Sequence, residues 1–133
     1  MSDEKDVLKM PPSPELNVII AYFMAQGFGA TGKVLEQATI VLHQHYSDDL
    51  VAAMTLIPKK SNTFSGVTMR TLSEGGWEVI IRTNADDYNS SLFEGRAETL
   101  PLAICRAWLR WNGGGKRKQH DLIPKKISTY YRD

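Results

Sequence analysis

Two strand-like runs joined by four turn residues limit the fold of this chain more than any other feature. Gly66 to Leu72 and Trp77 to Thr83 read as strands, and Ser73-Glu74-Gly75-Gly76 between them reads as a hairpin turn. Glycine accepts the positive φ that tight hairpin turns require. In the second run Trp77, Val79 and Ile81 share one face, while Glu78, Ile80 and Arg82 share the other. The Trp77 face must be buried, and the rest of the chain offers helices to cover it. Asn84 to Gly95 is turn-rich, with a short strand expected around Leu92 to Glu94.

The helices announce themselves by their ends. Ser13-Pro14-Glu15 is a helix start: serine caps, proline needs no N–H in the first turn, and glutamate suits the positive end of the dipole. Leu16, Ile19, Ile20, Phe23 and Met24 follow at helical spacing, and Gly27 and Gly29 close the helix. Lys33 to His45 fits either of two elements. Val34, Ala38, Val41 and Leu42 suit a helix, whereas Ala38 to Leu42 also reads as a buried strand. Glu36 and Gln37 tilt the reading to helix. Ser47-Asp48-Asp49 caps a further helix with Leu50, Ala53, Met54 and Ile57 as its apolar stripe, stopped by Pro58. Thr99 opens the last helix, where Pro101, Ile104, Cys105, Trp108 and Trp111 line one side, with Leu102 and Leu109 flanking. Arg106 and Arg110 lie one turn apart on the other side.

At 133 residues, with 42% hydrophobic and 23% charged residues, the chain has the size and make-up of one globular domain. The expected organisation is a mobile leader at 1–12, one α+β domain at 13–112, and a Gly-rich hinge with a basic tail at 113–133. A net charge of +1 gives no global field for nucleic acid or membrane. The single cysteine, Cys105, excludes an intrachain disulfide and fits a reducing compartment. Met1 to Asp6 is acidic and polar rather than a secretory leader. The longest apolar stretch, Val18 to Ala25, is too short to span a bilayer. A cytoplasmic protein with no membrane contact is expected.

Gly27-Phe28-Gly29-Ala30-Thr31-Gly32-Lys33 satisfies both G-x-G-x-x-G and G-x-x-x-x-G-K. In a phosphate-binding loop, glycine amides cradle the phosphates, the lysine reaches them, and a Ser or Thr binds magnesium. Here Val34 follows the lysine and a helix precedes the loop, whereas such loops follow a strand. The plain reading is a helix end and a turn. A looser role, with Gly29, Gly32 and Lys33 contacting a ligand phosphate, stays open. His43 and His45 lack the third and fourth ligands a zinc site needs. Asp86, Asp87 and Glu94 fall in loops with no partner placed opposite. Cys105 lies on an apolar helix face and reads as a small buried hydrophobe. No catalytic set, metal site or cofactor is expected. The basic tail offers a nucleic-acid reading through Lys116, Arg117 and Lys118, with Lys125, Lys126, Tyr130 and Tyr131 beyond. Its plain reading is a solvated tail.

Tyr46-Ser47-Asp48-Asp49-Leu50-Val51-Ala52-Ala53-Met54 resembles the Tyr-Ser-x-Asp-(Ile/Leu)-x-x-Ala segment of the bacteriophage "ABA sandwich" domain. Ala97 to Ala107, with its Pro-Leu-Ala-Ile-Cys-Arg-Ala run at Pro101–Ala107, resembles that family's closing segment. Trp77-Glu78-Val79 fits the tryptophan-bearing strand between them. The resemblance covers about half the chain, from Tyr46 to Trp111, and departs from the family pattern before it. It implies a phage or prophage protein with helices on both sides of a small sheet (α/β/α layers), and no catalytic residues. Residue reading and resemblance together give an expected function. The protein is a non-enzymatic accessory protein that binds a host protein or a small nucleotide signal, with nucleic-acid binding through the tail as the alternative. A second apolar strip on the first helix, Val18, Tyr22 and Ala25, adds the expectation of a homo-oligomer, most simply a symmetric dimer.

Overall fold

The computed structural model describes residues 7–57, 64–84 and 90–112. A 3-10 turn at Val7–Lys9 is followed by α1 (Pro14–Gly27), α2 (Gly32–Leu42), α3 (Leu50–Met54), β1 (Phe64–Thr71), β2 (Trp77–Asn84), β3 (Ser90–Ala97) and α4 (Leu100–Trp111). The strands form one antiparallel sheet in the order β1-β2-β3. This is a small α+β fold with helices packed on an antiparallel sheet.

The hairpin turn is where the glycines put it. Gly75 and Gly76 have φ of +99° and +95°, and Leu72 N–H donates to the Gly76 carbonyl at 3.0 Å. On the inward face of the sheet Val79 and Ile81 are fully buried, and Val67, Met69, Phe93 and Trp77 pack around them. Trp77 itself is half-buried at the sheet's end. The outward face carries Thr68, Arg70, Arg82, Leu92, Glu94 and Arg96, all exposed. The expected second helical layer is therefore missing from that face among the described residues, and a row of charge takes its place.

β3 runs for eight residues, where the sequence suggested a short strand at Leu92 to Glu94. Its small residues hid it, and packing explains the one at Gly95. α4 lies across β3 and β2 and presents Ala103 and Ala107 to the sheet. A Cβ on Gly95 would overlap the Ala103 carbonyl oxygen and the Ala107 amide nitrogen, and would sit 3.0 Å from the Ala107 Cα. Glycine on the strand and alanine on the helix let the two backbones meet.

α1 begins as its sequence dictates. Ser13 Oγ accepts from Leu16 N–H at 3.1 Å, with Pro14 in the first turn. The helix is buried almost all round: Leu16, Ile19, Ile20 and Phe23 on the expected face, but also Val18, Ala21 and Ala25. α2 packs along it. The second strip is thus largely covered within the chain, with Tyr22 half-buried, and needs no second copy to bury it. The ambiguous 33–45 stretch is helical as far as Leu42.

Two cap assignments change. α3 is capped by Asp49, whose side chain accepts from Val51 N–H at 3.0 Å. It buries Ala52 as well as Ala53 of the expected stripe, with Leu56 and the half-buried Ile57 beyond its end, while Leu50 and Met54 point outward. Ser47 is instead buried against α1. Thr99 precedes α4, but its side chain makes no cap bond. The stretch read as a mobile leader has a place in the fold from Val7 onward. Its 3-10 turn packs on α4, Met10 joins the core, and the Arg106 Nη2 donates to the Met10 carbonyl at 3.1 Å.

Gly95→Ala is expected to cost about 3 kcal/mol or more, since both groups it would strike are backbone. Denaturant titration measures it. A loss below about 1 kcal/mol would mean that α4 lifts away from β3 without penalty.

Candidate functional site

The glycine loop turns out to be a helix-ending device. Gly29 N–H donates to the Gln26 carbonyl at 2.9 Å, and Ala30 N–H to the Ala25 carbonyl at 3.1 Å. With Gly29 at φ +87°, this is the bond pair of a Schellman motif, with Gly29 at C′. Four residues later the chain is already in α2. Gly32 has φ +57°, and Lys33 is exposed. A Cβ on Gly29 or Gly32 would meet nothing within 4 Å, so the loop forms no enclosed cradle. Capping explains Gly29, while Gly32 and Lys33 lie in the first turn of α2.

An apolar groove opens beside that loop. Its volume is about 340 Å³, and Phe23, Met24, Phe28, Leu56, Trp108 and Trp111 line it between α1, the end of α3 and α4. Phe28, the C-cap of α1, is 76% exposed, because the Schellman turn throws it outward. The sequence reading placed Trp108 and Trp111 on one side of a helix but paired neither with α1. The groove was hidden because it needs the angle between helices, not their spacing.

Behind α4 a polar clasp joins three segments. Ser47 N–H donates to Asn17 Oδ1 at 2.8 Å, and the Ser47 hydroxyl donates to the same oxygen at 2.6 Å. Ser13 N–H donates to Ser47 Oγ at 3.1 Å. The Tyr46 hydroxyl donates to the Leu42 carbonyl, and the Cys105 thiol donates to the Tyr46 carbonyl at 3.1 Å. Burial, and then the Asp48 carboxylate, push the Cys105 thiol far up, with Arg106 opposing. A thiol held protonated in this way is no nucleophile.

The outward face of the sheet holds a charged row that sequence reading missed. Cross-strand register aligns Arg70, Glu78 and Arg96. Arg70 Nε donates to Glu78 Oε1 at 2.6 Å, and Arg96 Nε donates to Glu78 Oε2 at 2.7 Å. Glu78 is buried beneath the two exposed arginines. The hydrogen bond from Arg96 is the largest influence on its carboxyl. That bond, with the one from Arg70, holds the carboxyl below the usual carboxylate range against the opposing effect of burial. Reading β3 as a full strand would have exposed the ladder.

The remaining candidates stand apart. His45 Nδ1 is 3.6 Å from Asp48 Oδ1 on the surface. Among the described residues no group of three His, Cys, Asp or Glu could hold a metal ion. Glu94, at the end of the short strand expected around Leu92, lies on β3 opposite Ile80. Asp86 and Asp87 lie outside the described residues, as do Pro58 and the basic residues Lys116, Arg117 and Lys118. Among the described residues no helix is long and apolar enough to cross a membrane. Compared with family models, with curated proteins and with solved structures, the chain finds no match.

Two measurements test this account. Gly29→Ala should cost about 1 kcal/mol, because alanine resists the left-handed region. Gly27→Ala, in the last helical position with open space around it, should be neutral or stabilising by up to about 1 kcal/mol. A phosphate-binding role for the loop predicts no such opposition of sign. Glu78 has a lowered pKa, so its contribution is full above the ordinary glutamate value and is lost as pH falls through the folded one. Glu78→Gln should melt lower than wild type at neutral pH, and the gap should close in acid. Parallel melting curves across that range would show that the ladder carries no stability.

Proposed function

We propose that this chain is a non-enzymatic accessory protein of a phage or prophage, and that it acts by binding a host protein through the apolar groove. One observation carries the reading: aromatic side chains from α1 and α4 surround an open groove whose outer wall, Phe28, stands largely in solvent. Aromatic residues in concave apolar surroundings are the usual anchors of binding energy. The partner's chemistry follows from the lining: one or two apolar side chains presented by a helix or extended segment. The phage assignment rests on the resemblance at Tyr46–Met54 and Ala97–Ala107. A small nucleotide as ligand is the weaker branch, because the glycine loop is accounted for by capping. For a self-contact, the exposed Val34 and Val41 of α2 offer a better surface than the buried strip of α1.

The test is affinity capture from bacterial cytosol, followed by calorimetry with the purified captured protein. Phe28→Asp should weaken that binding about tenfold or more, with little change in melting temperature because Phe28 packs mainly against solvent. Unchanged affinity in Phe28→Asp would sink the groove as the binding surface. Mass spectrometry of small molecules released on denaturation separates the nucleotide branch.

A further inference from the structure

We propose that the polar cleft along the outer edge of β3 binds the phosphate group of a small sugar-phosphate-like ligand. The cleft has a volume of about 340 Å³, with Leu8, Glu94, Gly95, Arg96, Arg106 and Arg110 around it. It is separate from the groove and uses none of the groove's residues, so either reading can fail alone.

Charge is the first argument. Three arginines and one glutamate, Glu94, line the cleft. Arg96 also faces Glu78, but Glu78 is shared with Arg70. Arg106 and Arg110 stand at i and i+4 on α4, a like-charge spacing that weakens a helix. An anion in the cleft relieves that repulsion; Arg96 is already offset by Glu78, Glu94 and Glu74.

Preorganisation is the second argument. Arg106 cannot swing away. Its Nη1 donates to the Arg96 carbonyl at 2.7 Å and its Nη2 to the Met10 carbonyl at 3.1 Å. Arg96 is held through Nε by Glu78 at 2.7 Å. Fixed guanidinium groups lose little freedom on binding, and their fork geometry matches the oxygens of a phosphate.

Size and the lone carboxylate narrow the ligand. Ligand pockets run from about 300 to 1,000 Å³, so this cleft suits a phosphate with a small attached group. Glu94 adds an acceptor for a ligand hydroxyl beside the phosphate and disfavours dense polyanions. A phosphate could also come from a nucleic-acid backbone, and the test separates the two sources. The competing structural role is protection of an edge strand, since Arg106 covers a β3 carbonyl. That role requires no anion.

The full chain is titrated with ribose 5-phosphate, with ribose and with a short single-stranded DNA, and backbone amide shifts are followed by NMR. Saturable shifts with ribose 5-phosphate alone, centred on Leu8, Glu94, Gly95 and Arg96, are expected. Arg110→Gln should weaken this binding about tenfold, since Arg110 is exposed and can be changed without touching the core. Lys33→Gln should leave it unchanged. No saturable shift, shifts centred on Gly29 to Lys33, equal affinity in Arg110→Gln, or a response to DNA but not ribose 5-phosphate would each overturn the proposal. Should the Arg110 variant fail to fold, the wild-type shift map still decides.

Discussion

A glycine lets two backbones meet where β3 passes under α4 at Gly95. Everything larger than a hydrogen atom is excluded there by the Ala103 carbonyl and the Ala107 amide. Bringing α4 so near the sheet lets Val79 and Ile81 be buried completely, though the sheet has three strands among the described residues. It also fixes the height of the helix above the sheet, and with it the position of every other α4 side chain. Strand and helix adjoin through only Glu98 and Thr99. The close packing therefore forms between neighbours in sequence, at little loop-closure cost.

The far side of α4 is held differently. There the contact is polar, through the Cys105 thiol on the Tyr46 carbonyl and the Ser47 bonds to Asn17 and Ser13. Buried polar groups are tolerated only when partnered, and here the partners come from three segments: the start of α1, Tyr46-Ser47 and α4. The clasp thus specifies which segments meet, while the apolar core around it supplies most of the stabilisation. It also gives a physical reason for the Tyr46-Ser47 pair and for a cysteine in the middle of α4. A small side chain with a weak donor fits under that carbonyl, where leucine would not.

How much of this could be read beforehand varied with the kind of signal. The start of α1 and the Ser73–Gly76 hairpin were legible because local chemistry decides them: a cap, a proline, glycines with positive φ. The ambiguous stretch from Lys33 was legible only in part. Its inward residues, Leu35 and Thr39, are few, so its period was faint. β3 was legible only as a fragment, because Ser90, Ser91 and Gly95 have low strand propensity, and Gly95 is there for space. Losing β3 also lost the Arg70–Glu78–Arg96 row and the arginine cleft, which exist only once the third strand is in register. The stripe assigned to α3 held at Ala53 and Ile57 but not at Leu50 and Met54, because a helix of one and a half turns gives the period too few residues to establish a face.

α4 shows why its sequence reports fold before chemistry. Ala103 and Ala107 face the sheet, Cys105 faces the clasp, Trp108 and Trp111 face the groove, and Arg106 and Arg110 face the cleft. Successive residues turn by about 100°, so four surroundings with four chemistries are served by one run of twelve residues. Each position is chosen by a different neighbour, and no single periodicity describes the helix. A substitution on one face moves a rod whose other faces are already committed. The surfaces left open are those where α4 ends its structural duties: Trp111 at the margin of the core and the arginines at the strand edge.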